Sequence, residues 1–307
     1  MIQVCFSSDD KYSLYLAVAI ASILKNAKKT DELSFYILDG GISSANKGKI
    51  KSLKKIKNFD IAFINVNDSL FKRFPIGDNY ISIQTYYRYI IPQLLPDIDK
   101  ILYLDCDVIV KDSLSELYNQ DISDYWIAGV EDLGYFVDRK RLKRETESFY
   151  INAGIILLNV KKWREDNITE KLFNFTRENA AMLEHKDQDV INMVLNSKSK
   201  PLDYRWNVQD SYHRSYEMAN HPNKQLFIAA RNNPGIIHYT SANKPWANLM
   251  IPMAKEYYKY LFYSGIDNIT SIMSLLKIYI FHFYRNEKNS LYAKIFGRIK
   301  LKIWPLI

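Results

Sequence analysis

Residues 101–110 read Ile-Leu-Tyr-Leu-Asp-Cys-Asp-Val-Ile-Val, two short apolar runs separated by a pair of acids. Because side chains two residues apart in an extended chain leave on the same face, Asp105 and Asp107 are directed toward one region of space. Ligands of α/β sheets collect beyond the carboxyl ends of the strands, and two adjacent carboxylates there repel each other unless a cation offsets their charge. The stretch therefore predicts half of a divalent-cation site that handles an anionic ligand. The alternative is that the two acids cap a turn.

Two other pairs of aspartates have the same spacing, so spacing alone does not identify a site. Asp97 and Asp99 follow a proline in a predicted surface turn, where solvated acids are expected. Asp187 and Asp189 lie next to a helical pattern, and Asp187 could cap that helix. In the sequence, the Asp105 pair alone lies astride a predicted buried strand.

Length and composition predict a globular enzyme. With 307 residues, 48% of them hydrophobic, the chain can form one large domain or a domain with an appendage. The two cysteines, Cys5 and Cys106, give no disulfide framework and indicate a reducing compartment, and Cys106 is expected to pack inward. Residues 2–6 resemble a strand rather than a signal peptide, and no apolar stretch reaches the roughly 18 residues that span a bilayer. We therefore expect a cytoplasmic protein.

The positive charge is concentrated near the C-terminus. The net charge is +8, but residues 277–307 hold seven cations and one acid, so this segment contributes +6 and residues 1–276 only +2. A nearly neutral body argues against nucleic-acid binding. From residue 291 onward apolar residues recur at helical spacing beside a basic stripe, namely Tyr292, Ile295, Ile299 and Ile303 beside Lys294, Arg298 and Lys302. This pattern predicts an amphipathic helix on an anionic membrane surface; the alternative is a helix packed on the domain.

Strand and helix patterns alternate along the chain. Apolar stretches predict strands at residues 2–6, 33–38, 61–66, 101–104, 126–130 and 154–160. Residues 14–24 predict a buried helix with Ser13 available as its cap. This alternation implies crossover connections, and hence an α/β fold with a single Rossmann-like, mostly parallel sheet flanked by helices. Residues 135–147 are charged and weakly periodic, which suggests a loop or lid.

The glycine-rich phosphate-binding motifs of dinucleotide and P-loop proteins are absent, as is the nucleophile motif of serine hydrolases. Any bound phosphate must therefore be held by a metal ion and side chains.

Four further segments join the acid pair in chain order. They are residues 7–12 (Ser-Ser-Asp-Asp-Lys-Tyr), 150–159 (Tyr-Ile-Asn-Ala-Gly-Ile-Ile-Leu-Leu-Asn) with Lys-Lys-Trp-Arg at 161–164, 186–192 (Lys-Asp-Gln-Asp-Val-Ile-Asn), and 237–246 (Ile-His-Tyr-Thr-Ser-Ala-Asn-Lys-Pro-Trp). From about residue 1 to 262 the chain closely resembles glycosyltransferase family 8, especially the bacterial lipooligosaccharide α-galactosyltransferases and lipopolysaccharide α-glucosyltransferases. The resemblance implies a GT-A fold, a UDP-hexose donor, Mn2+ and retention of the anomeric configuration. It places the catalytic domain at residues 1–265 and leaves 266–307 as a basic, helical C-terminal appendage.

The resemblance also assigns roles to individual residues. Asp105, Asp107 and His238 would hold the cation, a mixture of ligands that favours Mn2+, with Mg2+ as a possible substitute. On its own, a histidine after a strand more often packs or is solvated. The residues implied to contact the donor are Ser7, Asp9, Tyr12, Arg88, Asp105, Cys106, Asp107, Asn152, Ala153, Ser241 and Lys244. Within this set Asp9 and Tyr12 would contact uracil and Lys244 the diphosphate, although Asp9 could equally cap the following helix.

The resemblance places Asp132, Asp187 and Gln188 at the reacting sugar as the catalytic residues. A covalent route to retention needs a nucleophile, ordinarily a carboxylate, but the matched position holds the neutral amide of Gln188. A front-face route is therefore favoured, in which the acceptor hydroxyl attacks on the side that UDP leaves. Ser241 and Lys11 depart from the usual Gly and Asn of the family, so the backbone at Ser241 is expected to approach the diphosphate less closely.

Two alternatives remain open: a sugar-nucleotide-binding protein without turnover, and a retaining transferase that acts on a protein-linked glycan. The sequence leaves open the donor hexose, the glycan or glycolipid acceptor and the oligomeric state.

Overall fold

The computed structural model describes residues 1–76, 82–132, 150–213 and 223–286. The chain divides into two compact units, Met1–Ala242 and Asn243–Ile307. The predicted lid at 135–147 and the predicted amphipathic helix from residue 291 lie outside the described residues. The boundary predicted after residue 265 stays a prediction.

The first unit is built on a seven-stranded sheet whose strand order is β3-β2-β1-β4-β7-β6-β8. The strands are β1 Ile2–Ser8, β2 Leu33–Asp39, β3 Asp60–Asn65, β4 Lys100–Leu104, β6 Ile127–Glu131, β7 Ile151–Asn159 and β8 Ser199–Pro201. The four strands β3, β2, β1 and β4 run parallel, β7 is antiparallel to β4 and β6, and β8 is parallel to β6. The predicted mostly parallel sheet is confirmed.

A second sheet of three short strands, which the sequence did not predict, lies in the same unit in the order β5-β10-β9. These strands are β5 Val108–Val110, β9 Val208–Gln209 and β10 Ile236–His238. Strand β10 is antiparallel to β5, with His238 opposite Val108, and parallel to β9, with His238 opposite Gln209. Residues 101–110 therefore contribute a strand to each sheet, and the acid pair is the link between them.

The helices, numbered within the described residues, are α1 Ser13–Asn26, α2 Ser44–Lys51, α3 Ile91–Leu94, α4 Ser115–Tyr118, α5 Val160–Glu165, α6 Ile168–Glu178, α7 Asp187–Leu195, α8 Lys224–Asn232, α9 Ala254–Ser264 and α10 Asn268–Asn286. The last two belong to the second unit. Across the ranges that the structure describes, no helix combines the length and the apolar character needed to cross a membrane.

Helix α1 fixes the position of β5. Its residues 16–24 are all buried, as expected of a helix that is apolar on every side. Near its end, the Ser22 hydroxyl accepts a hydrogen bond from the Val110 amide at 2.9 Å, and the Asn26 amide donates to the Val110 carbonyl at 2.9 Å. These bonds hold the last residue of β5 from both sides.

The prediction that Ser13 caps α1 is wrong. The cap is Tyr12, whose amide donates to the Asp9 carboxylate at 2.9 Å. The Ser13 hydroxyl instead donates back to the Asp10 carbonyl at 2.7 Å, because it already lies within the first turn. The carboxylate of Asp9 thus closes the turn that leads into the helix.

An aromatic cluster supports the 3-10 helix Ile83–Ile90. Ring centroids are 4.9 Å apart for Phe74 and Tyr86 and 5.0 Å apart for Phe74 and Phe173, both in edge-on geometry. Such pairs add about 1 kcal/mol each beyond the burial of their apolar surface. The cluster fixes a short helix that carries Arg88 into the interior.

Candidate active site

Two carboxylates and an imidazole converge where the two sheets meet. Each of Asp105, Asp107 and His238 offers a ligand atom, and these atoms lie within 4.8 Å of one another. The Nε2 atom of His238 is 3.3 Å from Asp107 Oδ1 and 3.9 Å from Asp105 Oδ2. His238 is buried, whereas both acids are partly exposed. The cluster can therefore bind an ion that enters from solvent.

The backbone holds this cluster on both sides. The Asp105 amide donates to the Gly154 carbonyl at 2.8 Å, which extends the pairing of β4 with β7 by one residue. The Tyr239 amide donates to the Asp107 carbonyl at 3.0 Å, which extends the pairing of β5 with β10. The position of each acid is thus set by a different sheet.

The residues present fit a divalent cation. A Cβ atom added at Gly154 would lie 2.6 Å from Asp105 Oδ2 and 2.9 Å from His238 Nε2, so the space beside these two residues accepts no side chain. Carboxylate oxygens together with one imidazole nitrogen suit manganese and related divalent ions. The structure brings together the three predicted metal ligands; the identity of the ion stays a prediction.

Arg88 joins the cluster to a second acid. The side chain is 3% exposed, its Nη2 lies 3.1 Å from Asp105 Oδ1 and its Nε lies 3.1 Å from Asp187 Oδ2. It also donates to the Ala153 carbonyl, and its guanidinium carbon lies 4.2 Å from the centroid of the Tyr103 ring. One buried cation thereby balances two carboxylates that face the site.

Asp187 is a buried acid with unusual proton affinity. Burial raises the pKa of its carboxyl from 3.8 to about 6, although the nearby Arg88 guanidinium and the hydrogen bond from the Thr85 hydroxyl both lower it. Asp187 is the first residue of α7 and follows Lys186, which has φ +49° and ψ −119°. A lysine with positive φ costs roughly 1 kcal/mol or more, so the surrounding structure imposes this turn at the site.

A third group of residues forms a polar wall beside the cluster. Oδ2 of Asp132 accepts from Asn152 Nδ2 at 2.9 Å and from Gln188 Nε2 at 3.1 Å. Oε1 of Gln188 accepts from the Ala153 amide at 3.0 Å. Both ends of the Gln188 amide are therefore oriented by neighbours.

The end of β1 meets the acid pair at the same edge of the sheet. The Cys106 thiol donates to the Ser7 carbonyl at 3.2 Å. Burial, reinforced by the negative charges of Asp105 and Asp107, raises the pKa of this thiol well above its ordinary value. Cys106 packs inward, as predicted, and it joins the segment that begins at Ser7 to the acid pair.

Two predicted donor contacts lie after β10. The Ser241 amide donates to Asp210 Oδ2 at 3.2 Å, in the first unit. Lys244 is buried and belongs to the second unit. The donor roles of both residues stay predictions.

Neither of the other two aspartate pairs follows a buried strand, in agreement with the sequence analysis. Asp97 and Asp99 are exposed in a turn, and Asp99 pairs with Arg164. Asp189 lies inside α7, where it accepts from the Tyr150 hydroxyl at 2.8 Å, and so it does not share a face with Asp187.

Sequence reasoning missed three residues of the site. The Thr85 hydroxyl donates a hydrogen bond to Asp187, and Gly154 leaves room for Asp105 and His238. The Oδ1 atom of Asn207 lies 3.0 Å from His238 Nδ1. A glycine inside the apolar strand 154–160 is a known sign of close approach and could have been recognised. No sequence signal distinguishes Thr85 or Asn207 from ordinary polar residues.

The strand order, together with a cluster of two acids and an imidazole at the carboxyl ends of β1 and β4, defines an α/β protein of the GT-A class. The sequence matches the glycosyl transferase family 8 over residues 3–250, and the chain belongs to that family. It is therefore a glycosyltransferase, and the family expected from the sequence is confirmed.

Known proteins of similar sequence and structure agree with this assignment. General stress protein A of Bacillus subtilis is 31% identical over 268 residues, which cover 85% of this chain and 93% of that protein. A lipopolysaccharide 1,2-glucosyltransferase of Escherichia coli K12 is 28% identical over 262 residues, 84% of this chain and 76% of that protein. The crystal structure of the galactosyltransferase LgtC with donor and acceptor sugar analogues superposes with a TM-score of 0.75 at 30% identity, covering 85% of this chain and 95% of that one. These similarities support the predicted fold class as a whole.

We predict that Gly154→Ala abolishes cation binding without unfolding the protein. The added methyl group would occupy the space between Asp105 and His238, whereas Gly48→Ala, at an open position of α2, is the matched control. Isothermal titration with Mn2+ should show binding by the wild type and the control, and none by Gly154→Ala. Equal affinity of all three proteins would contradict the assignment of the cluster.

We predict that the stability of the metal-free protein depends on pH because of the buried carboxyl group of Asp187. Because burial raises its pKa from 3.8 to about 6, the native state binds a proton that the unfolded chain has released within this window. Stability therefore falls as pH rises from about 4 to about 6, by up to ~3 kcal/mol for two pKa units. Asp187→Asn should lack this fall, while the exposed-site control Asp97→Asn should keep it. Urea unfolding across this pH range measures the effect, and parallel profiles for wild type and Asp187→Asn would refute it.

Proposed function

We propose that this glycosyltransferase transfers galactose or glucose from its UDP-sugar to a glycan or glycolipid acceptor, with Mn2+ at the active site and with retention of the anomeric configuration. The observation that carries the proposal is the convergence of Asp105, Asp107 and His238 within 4.8 Å at the carboxyl edge of the sheet. Similarity to a protein named lipopolysaccharide 1,2-glucosyltransferase and to the galactosyltransferase LgtC supports a hexose donor.

The cluster suits the chemistry of a diphosphate leaving group. When bound, the cation would stabilise the negative charge that develops on the departing phosphate oxygen. Asp105, Asp107 and His238 would hold it, and Mg2+ can replace Mn2+ in such a ligand set. The glycine-rich phosphate cradles are missing from the sequence, so side chains take a larger part, and we assign Lys244 and Ser241 to the diphosphate.

The polar wall suits the hydroxyl groups of a sugar. Asp132, Asn152 and Gln188 present an oriented carboxylate and two amides, and Arg88 and Asp187 complete a set that can donate and accept hydrogen bonds. We assign these five residues to the donor hexose, together with the backbone of Ala153. Ser7, Asp9 and Tyr12, at and after the end of β1, are assigned to the uridine end, and Cys106 lines the same edge.

A front-face route is consistent with the geometry of Gln188. Its amide oxygen already accepts a hydrogen bond from the Ala153 amide at 3.0 Å, and an amide is a poor nucleophile. In the proposed route the acceptor hydroxyl attacks on the face that UDP leaves, and a phosphate oxygen takes its proton. Gln188 and Asp132 then stabilise the positive charge that develops on the sugar ring.

A protein-linked glycan is the second candidate acceptor. Cytoplasmic location and attachment to the inner face of an anionic membrane stay predictions, because the basic segment that suggests attachment lies largely beyond residue 286.

The function predicts slow, Mn2+-dependent release of UDP from UDP-galactose or UDP-glucose by hydrolysis, before any acceptor is known. Asp107→Ala should lower this rate roughly a thousandfold, about 4 kcal/mol, because cation binding fails. Asp97→Ala, in the exposed turn, should keep the wild-type rate. A coupled assay for UDP across a panel of nucleotide sugars measures both. Tight donor binding without any release would favour the sugar-nucleotide-binding alternative, and a normal rate for Asp107→Ala would exclude the metal assignment.

The front-face route predicts that Gln188→Ala slows transfer but does not abolish it. The remaining hydrogen-bond donors still position the sugar, so a loss of roughly ten- to a thousandfold in kcat is expected. Steady-state kinetics and intact-protein mass spectrometry during turnover test this. A hexose covalently attached to Gln188 would rule the route out.

A further inference from the structure

A chain of buried amides connects the metal-binding histidine to the polar wall. Asn207 is fully buried, and its Oδ1 lies 3.0 Å from His238 Nδ1. Its Nδ2 donates to Asn152 Oδ1 at 3.1 Å, and Asn152 Nδ2 donates to Asp132 Oδ2 at 2.9 Å. Four side chains from separate parts of the sequence are thus joined end to end.

The direction of every hydrogen bond in this chain is determined. An ionised carboxylate only accepts, so Asp132 requires the NH2 group of Asn152 on its side. The Gly154 amide only donates, and it donates to Asn152 Oδ1 at 3.1 Å, which fixes the same orientation independently. Asn207 must then turn its NH2 group toward Asn152 and its oxygen toward His238. The proton of the neutral imidazole is therefore on Nδ1.

This tautomer leaves the Nε2 lone pair facing Asp107 Oδ1 at 3.3 Å and Asp105 Oδ2 at 3.9 Å. Without a cation this arrangement is unfavourable, because the two carboxylates would attract a proton on Nε2. The opposite tautomer would, however, leave two acceptors, His238 Nδ1 and Asn207 Oδ1, facing each other in the interior. An unsatisfied buried polar contact of this kind costs about 1–3 kcal/mol.

We propose that Asn207 is a positioning residue that holds His238 in the Nδ1-protonated tautomer, so that Nε2 is ready to bind the cation. Through Asn152 it ties the orientation of this ligand to the residues assigned to the donor sugar. The inference rests on the proposed function only for the identity of the cation. Hydrogen bonds to the second nitrogen of a metal-binding histidine typically change metal affinity 10–100-fold.

The tautomer can be read directly in the metal-free protein. Two-bond 1H–15N correlation spectra separate protonated from unprotonated ring nitrogens. The chain has five histidines, so comparison with His238→Gln identifies the signals of His238. We expect a protonated Nδ1 and a bare Nε2 in the wild type. A protonated Nε2 together with a bare Nδ1 in the wild type would overturn the inference, whatever the variants do.

Two substitutions at the same position are expected to differ. Asn207→Leu removes the acceptor, so the proton should shift to Nε2 and Mn2+ affinity should fall 10–100-fold. Asn207→Asp keeps an acceptor for Nδ1–H and should retain the wild-type tautomer, at a cost in stability because its second carboxylate oxygen faces Asn152 Oδ1 without a hydrogen bond. Asn159→Leu is the matched control, because Asn159 caps α5 at the opposite end of β7 from Asn152 and should affect stability alone.

If Asn207→Leu is folded by circular dichroism, with the wild-type tautomer and Mn2+ affinity within twofold of wild type, the inference is wrong. If it does not fold, the wild-type spectrum and the spectrum of Asn207→Asp decide. Failure of the wild type to bind Mn2+ would instead overturn the proposed cation while leaving the tautomer result intact, so the two failures are distinguishable.

Discussion

The structure depends on one constraint: two carboxylates and an imidazole that would repel or neutralise one another are fixed by the backbones of two different sheets. Asp105 is held through its amide by Gly154, and Asp107 is held through its carbonyl by Tyr239. The backbone of neither acid can move away from that of the other without breaking a strand pairing. The surrounding core therefore holds the carboxylates close together although their mutual repulsion is unfavourable, as is common at sites prepared for a ligand.

The buried guanidinium of Arg88 makes this arrangement tolerable. Transferring a cation and its carboxylate partners from water into a protein costs several kcal/mol per ion, and good geometry is needed to recover it. Arg88 lies between Asp105 and Asp187 and donates in addition to Ala153. The aromatic cluster around its 3-10 helix gives this side chain a rigid support. Core packing away from the acids thus helps to offset the free-energy cost of burying these charges.

Much of the fold could be predicted from the sequence, because its strands are apolar runs and their alternation with helices implies a mostly parallel sheet. The acid pair could be predicted as well, since a strand end fixes where the two side chains meet. Asn207 and Thr85 could not, because their contacts with His238 and Asp187 depend on how segments over thirty or a hundred residues apart are brought together. The second sheet escaped prediction for the same reason: its three strands have two or three residues each and acquire meaning only through their pairing.

Because β7 is inserted antiparallel to its neighbours, three groups of contacts meet at one edge of the sheet. In a purely parallel sheet, only the carboxyl ends of strands lie at the ligand edge. Here the amino end of β7 also lies there, and it carries Asn152, Ala153 and Gly154 in succession. The side chain of Asn152 accepts a hydrogen bond from Asn207, and the backbone amide and carbonyl of Ala153 bind Gln188 and Arg88. Gly154 pairs with Asp105 and leaves room for the side chains of Asp105 and His238. Because these three adjacent residues serve the polar wall, the buried Arg88 guanidinium and the cluster of Asp105, Asp107 and His238 separately, a shift of β7 by one residue would disorganise all three at once.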